Sequence, residues 1–133
     1  MMEPGFTLLG HTADVKVRAR GPDFEGTLGN LVKGMLAVLY DDPAVAGELY
    51  RDLVVTAPDR ESQVVALLNE ILYVLESEGL APSDVSGVRT EEAALRAGVT
   101  WGRAKGRLVR EVKAATYHQL LVTDTLMEVV LDL

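Results

Sequence analysis

Asp14-Val15-Lys16-Val17-Arg18-Ala19-Arg20-Gly21-Pro22-Asp23 contains, within ten residues, the change of period that decides the fold. Val15, Val17 and Ala19 alternate with Lys16, Arg18 and Arg20, the pattern of a strand with one buried face. Gly21-Pro22 ends it, and the Asp23 carboxylate can accept from the free N–H groups at the start of a helix. Leu28, Leu31, Val32, Met35 and Leu39 then recur at three- and four-residue spacing, which predicts a helix running to about Tyr40. Met35 sits on that stripe and reads as core filler rather than as a ligand.

Outward from this unit, 6–9 is a short apolar strand followed by a turn at Gly10-His11. Asp41-Asp42-Pro43 ends the first helix, because the residue before proline resists the α region. Its two acids read as a helix-ending loop in preference to a second cation site. A strand is expected over 48–56, with Leu49, Leu53 and Val55 apolar, and a turn at Ala57-Pro58-Asp59. The strongest helix is 61–78: Val64, Leu67, Leu68, Ile71, Leu72 and Leu75 share one broad face, Glu61 lies in the first turn, and Gly79 suits the left-handed residue beyond the end. After Ala81-Pro82-Ser83 the pattern predicts strands at 85–92, 97–103, 109–116, 119–123 and 127–132. The expectation is an α+β protein: a single two-layer domain over 1–133, with two helices packed on a mainly antiparallel or mixed β-sheet.

Composition narrows the chemistry. The chain has 133 residues, 48% hydrophobic and 25% charged, as ordinary globular proteins do. Aromatics make up only 5%, so the core must rest on Val, Leu and Ala. The absence of cysteine excludes thiolate metal sites, cysteine nucleophiles and disulfides. No apolar run approaches the roughly 18 residues that a spanning helix requires. Nor does Met1-Met2-Glu3-Pro4-Gly5 carry a basic and apolar leader, so a cytoplasmic protein with no membrane partner is expected. A net charge of −7 opposes sequence-independent binding to a phosphate backbone. The exception is local: Arg103, Lys105, Arg107, Arg110 and Lys113 lie close together with Glu111 as the one acid among them, either a solvated loop leading into a strand or a contact for RNA or a partner.

Nucleophilic catalysis finds little support, since a hydroxyl nucleophile needs an activating base and a third, orienting group. His11 and His118 are the two histidines, and each is a candidate general acid or base with turn or capping duty as the plainer alternative. Gly98, Gly102 and Gly106 fit no phosphate-binding loop, and no zinc-ligand spacing occurs. Oxygen chemistry survives. Asp14 and Asp132 each lie at the tip of an apolar strand-like run, and Leu133 adds an α-carboxylate. Such donors suit Ca²⁺, Mg²⁺ or Mn²⁺, with water or backbone carbonyls completing the shell. The competing reading is that these acids are simply solvated.

His11-Thr12-Ala13-Asp14-Val15-x-Val17-x-Ala19-x-Gly21 resembles the opening signature of the archease family. The likeness continues through Gly34-Met35, Leu68-Asn69-Glu70-Ile71-Leu72-Tyr73, Val112-Lys113-Ala114-Ala115-Thr116-Tyr117-His118 and the closing Val129-Val130-Leu131-Asp132-Leu133. The resemblance implies a small α+β accessory protein of tRNA splicing and RNA repair. Its partner would be the GTP-dependent RNA ligase that joins 2′,3′-cyclic-phosphate or 3′-phosphate ends to 5′-hydroxyl ends, with RNA met through the ligase. It would promote guanylylation of the ligase and multiple turnover without itself being an enzyme. It further implies a divalent-cation site, calcium first with magnesium or manganese as alternatives, formed by Asp14, Asp132 and Leu133. Lys113, in a stretch similar to the family's Lys-Ala-x-Thr-Tyr, becomes a second functional candidate; an outward strand lysine is the alternative. One departure stands out: the residue before His11 is usually acidic in the family, and here it is Gly10. The rivals are a stand-alone metal-dependent phosphoesterase using His11 as base, and an RNA-binding or chaperone-like module.

Overall fold

A computed structural model describes residues 3–10 and 13–133. Along the chain run β1 (Gly5–Gly10), β2 (Asp14–Arg20), α1 (Phe24–Leu39), β3 (Val45–Thr56), α2 (Arg60–Glu78), β4 (Ala81–Glu91), β5 (Ala94–Ala104), β6 (Ala114–Ala115), β7 (Leu121–Val122) and β8 (Leu126–Asp132). The α+β expectation holds, and the sheet is divided in two, with every pairing antiparallel. The five-stranded sheet has the order β1-β2-β8-β6, with β7 also paired to β8, and the three-stranded sheet has the order β3-β5-β4.

The local signals act as physical chemistry requires. In β2 the apolar Val15, Val17 and Ala19 are buried while the charged residues between them are half-exposed. Asp23 caps α1, its carboxylate accepting from the Gly26 N–H at 2.7 Å, and Asp59 caps α2 by accepting from Ser62 N–H at 2.8 Å. Gly79 ends α2 with φ 71°, the left-handed conformation that glycine adopts at little cost. Each helix touches strands of both sheets, so the buried faces merge into one core around Leu28, Met35, Leu68, Ile71, Trp101 and Leu131.

Three expectations need correction. Ala81, Pro82 and Ser83 belong to β4 rather than to a turn, and the strand proposed at 119–123 shortens to Leu121–Val122. The stretch 109–113 is not a strand, because the chain there passes from one sheet to the other and bonds to the end of α1 instead. Val109 N–H donates to Leu39 O at 2.8 Å, Asp41 N–H donates to Arg107 O at 3.1 Å, and Tyr40 forms an isolated antiparallel bridge with Leu108. Asp41 and Asp42 act as loop residues, as expected: Asp41 accepts from Arg107 N–H at 2.7 Å and Asp42 from Ala44 N–H at 3.1 Å. No helix among the described residues is long and apolar enough to cross a membrane.

Candidate metal and partner site

Antiparallel pairing brings the two strand-tip acids together. In the β2–β8 register Asp14 stands directly opposite Asp132, and the next pair inward, Val15 and Leu131, is buried in the core. Because side chains alternate across a pleated sheet, the two aspartates share the outer face with the Arg18 and Glu128 pair. Side chains placed directly opposite have Cβ atoms about 4.5–5.5 Å apart, close enough for the two carboxylates to repel or to share a cation. Among the described residues, neither aspartate has a Lys or Arg partner, since the ion pair on this face joins Arg18 to Glu128 at 2.5 Å, with Lys16 at 4.0 Å. The pair therefore stands as adjacent negative charge without internal compensation among the described residues.

The backbone around it is held on both flanks. Lys113 N–H donates to Asp132 O at 2.7 Å, and Leu133 N–H donates to Ala13 O at 3.1 Å. Ala114 pairs with Asp132 from the side opposite Asp14. Asp14, Asp132, Leu133 and the Lys113 main chain thus converge on one end of the five-stranded sheet. Asp132 and Lys113 are exposed, whereas Asp14 and Leu133 are half-buried. No group of three His, Asp or Glu side chains that could hold a metal ion gathers among the described residues. An all-oxygen set of this kind suits a hard divalent cation with several waters in its shell.

The remaining candidates are placed differently. His11 lies outside the described residues. His118 is exposed in the turn after β6, where its N–H donates to Thr116 Oγ1 at 3.3 Å. Thr116 N–H in turn meets Val130 O, a pairing further down β8 than Asp132, so the structure does not join the His118 main chain to the aspartate pair. Gly10 ends β1 opposite Val15, and a Cβ added there would meet nothing within 4 Å.

Sequence reasoning passed over the role of Asn69. Its side-chain oxygen accepts from Ala115 N–H at 2.8 Å and its side-chain nitrogen donates to Ala115 O at 3.2 Å, tying α2 to the strand that flanks Asp132. The available signal was the side-chain amide between Leu68 and Glu70 on the strongest predicted helix, a residue type that favours side-chain bonding to backbone.

Residues 6–133 match the Archease protein family (MTH1598/TM1083). The chain is similar to protein archease of Methanosarcina mazei, 34% identical over 127 residues that cover 90% of this chain and 87% of the relative. It is likewise similar to that of Methanosarcina barkeri, at 31% over 127 residues and the same coverage. The solution structure of Methanobacterium thermoautotrophicum protein 1598 superimposes with a TM-score of 0.73 at 26% identity, covering 97% of this chain and 99% of that one. A Thermotoga maritima crystal structure, an archease described as a "possible chaperone", shares the fold with a TM-score of 0.61 at 22% identity, covering 100% of this chain and 98% of that one.

Proposed function

Because the chain belongs to the archease family, we propose that it is a non-catalytic activator of a GTP-dependent RNA ligase that joins 3′-phosphate or 2′,3′-cyclic-phosphate ends to 5′-hydroxyl ends. The likeness of its motifs to those of the family supports the ligase as partner. The observation that carries the site is the register pairing of Asp14 with Asp132, two carboxylates facing each other with no cationic partner among the described residues. In this reading Asp14, Asp132 and Leu133 hold a divalent cation, calcium first, at a tip that docks near the ligase active site.

A bound cation would supply positive charge to offset nucleotide phosphates during ligase guanylylation. The chain's own residues position it. β2 and β6 hold the Asp132 backbone from both sides, and the Lys113 main-chain N–H donates to Asp132 O.

The test is multiple-turnover RNA ligation by the ligase with and without this protein. Wild type should raise turnover, and Asp14→Ala and Asp132→Ala should abolish the stimulation while remaining folded. Equal stimulation by both variants would overturn the tip reading. Phosphoester hydrolysis by the protein alone, without ligase, would replace the activator with a metal-dependent phosphoesterase.

A further inference from the structure

We propose that β1 is an interface strand for a second copy of this chain: two molecules pair through it, antiparallel and about a two-fold axis, so that their five-stranded sheets join into one. The inference stands apart from the activator reading.

An edge strand leaves a row of main-chain N–H and C=O groups without partners, and proteins blunt such edges with bulges, charges, proline or very short strands. Three of the four sheet edges here are blunted. β3 has a register shift between Gly47 and Leu49 and carries Glu48, Arg51 and Asp52, while β4 has two shifts and carries Pro82, Asp84 and Arg89. The far edge of the five-stranded sheet is made by β6 and β7, of two residues each. β1 has none of these devices. Its stretch Gly5-Phe6-Thr7-Leu8-Leu9-Gly10 holds no charge and no proline, and it pairs with β2 in one unbroken register. Among the described residues no strand pairs with its other side. Phe6, Leu8 and Leu9 are 41%, 39% and 37% exposed, three large apolar side chains within four residues.

Self-complementarity selects the occupant. The register with β2 sets Phe6 and Leu8 on the core face, opposite Ala19 and Val17, and Thr7 and Leu9 on the outer face, opposite Arg18 and Lys16. A two-fold axis normal to the sheet keeps the core faces of both copies on one side, so even-numbered residues oppose even and odd oppose odd. Centred on Thr7, it sets Phe6 of each copy against Leu8 of the other, Thr7 against Thr7 and Gly5 against Leu9. The apolar pairs cover side chains that a single chain leaves in water, and a Thr–Thr pair is favourable across strands. No charged residue of β1 meets its like, which matters for two chains of net charge −7 each. A hollow of about 380 Å³ beside Phe6, lined by Leu36, Pro43 and Val45 with Lys33 and Asp42 also present, offers the incoming Leu8 a seat. An isologous contact of this kind closes at two copies instead of running on into a filament. Asp14 and Asp132 lie on β2 and β8, inward from the seam, and antiparallel joining sends the two acidic tips to opposite ends of the shared sheet.

The experiment combines sedimentation velocity of the full chain with cysteine cross-linking, to which a cysteine-free chain is suited. A seam this short lies at the small end of stable interfaces, so half-association is expected at about 10–100 μM. Across that range wild type should pass from a 14.4 kDa monomer to a species of twice the mass. Thr7→Lys sets two ammonium groups face to face at the axis and should raise the half-association concentration by about fivefold or more. Thr7→Cys under mild oxidation should form disulfide-linked dimers about tenfold faster than Glu92→Cys, because opposed residues of antiparallel strands bring their Cα atoms within disulfide reach. Glu92 is exposed in the turn between β4 and β5, and Thr7 is exposed on β1; thermal melting confirms that the variants fold. Wild type that stays monomeric throughout, with both cysteine variants cross-linking at equal rates, overturns the inference. A dimer indifferent to Thr7→Lys uses another surface and overturns it as well. If the chain is monomeric and Thr7→Lys abolishes its binding to the ligase, the edge takes a strand of the ligase and the inference is wrong.

Discussion

Asn69 in α2 and Ala115 in β6 exchange two hydrogen bonds, at 2.8 and 3.2 Å, so that one side-chain amide acts as a further rung of the sheet. A two-residue strand has little hold of its own, and this clamp fixes the segment that carries Lys113 and flanks Asp132.

Asn69→Ala should therefore lower unfolding stability by about 1–2 kcal/mol, since it leaves both backbone groups of Ala115 without partners. Denaturant unfolding measures the loss. Ligase stimulation at a temperature where the variant is fully folded should fall as well, and full stimulation would show that the clamp is structural only.

The facing aspartates predict opposite effects with and without cation. Like charges directly opposite in a sheet destabilise by a few tenths of a kcal/mol up to about 1, so Asp132→Asn should be slightly more stable than wild type in chelator. Calcium at about a hundred times its dissociation constant should stabilise wild type by about 2.7 kcal/mol and leave the variant unmoved. Thermal melting with and without calcium reads both. An equal calcium shift in the two proteins would place any binding elsewhere.

At Gly10 the space around an added side chain is open. Gly10 pairs with Val15, so a side chain there lies on the sheet face away from Asp14, and Gly10→Asp should leave calcium affinity within about twofold of wild type. Isothermal titration calorimetry decides, and markedly tighter binding would mean that the end of β1 turns its side chain toward the aspartate pair.

Acid should weaken the fold through two hydrogen-bonded carboxylates. Ser62 bonds hold the Asp59 carboxyl below the usual carboxylate range, and the paired bonds from Arg51, each 2.8 Å, do the same for Glu78. Both groups bind protons less readily when folded, so their contribution is complete above the unfolded values of about 4 and is lost as pH falls through the lower folded values. Melting temperature should drop across that acid window. Asp59→Asn, which keeps a capping oxygen but cannot titrate, should show a shallower drop.

How legible each of these features was depends on how local its cause is. The Val15, Val17, Ala19 alternation and the Asp23 cap are settled within a few residues, and the helices and early strands followed from them. Val109 and Val112 mimic a strand pattern, yet their segment bonds to the end of α1, a competitor that no local pattern reveals. Each acid of the candidate site was visible at a strand tip, but their opposition depends on the β2–β8 register, a long-range property.

The central place of β8 has a further meaning for the order of events in folding. It supplies partners to β2, β6 and β7, and Arg18 meets Glu128 across a separation of 110 residues. During synthesis β1 and β2 can form only a hairpin, with one edge of β2 left open until the last strand emerges. Pairings so distant close slowly, because loop-closure entropy must be overcome before the contacts form. The aspartate pair is therefore assembled late, and a nascent or truncated chain lacking β8 would display neither the acidic tip nor the flank that holds it.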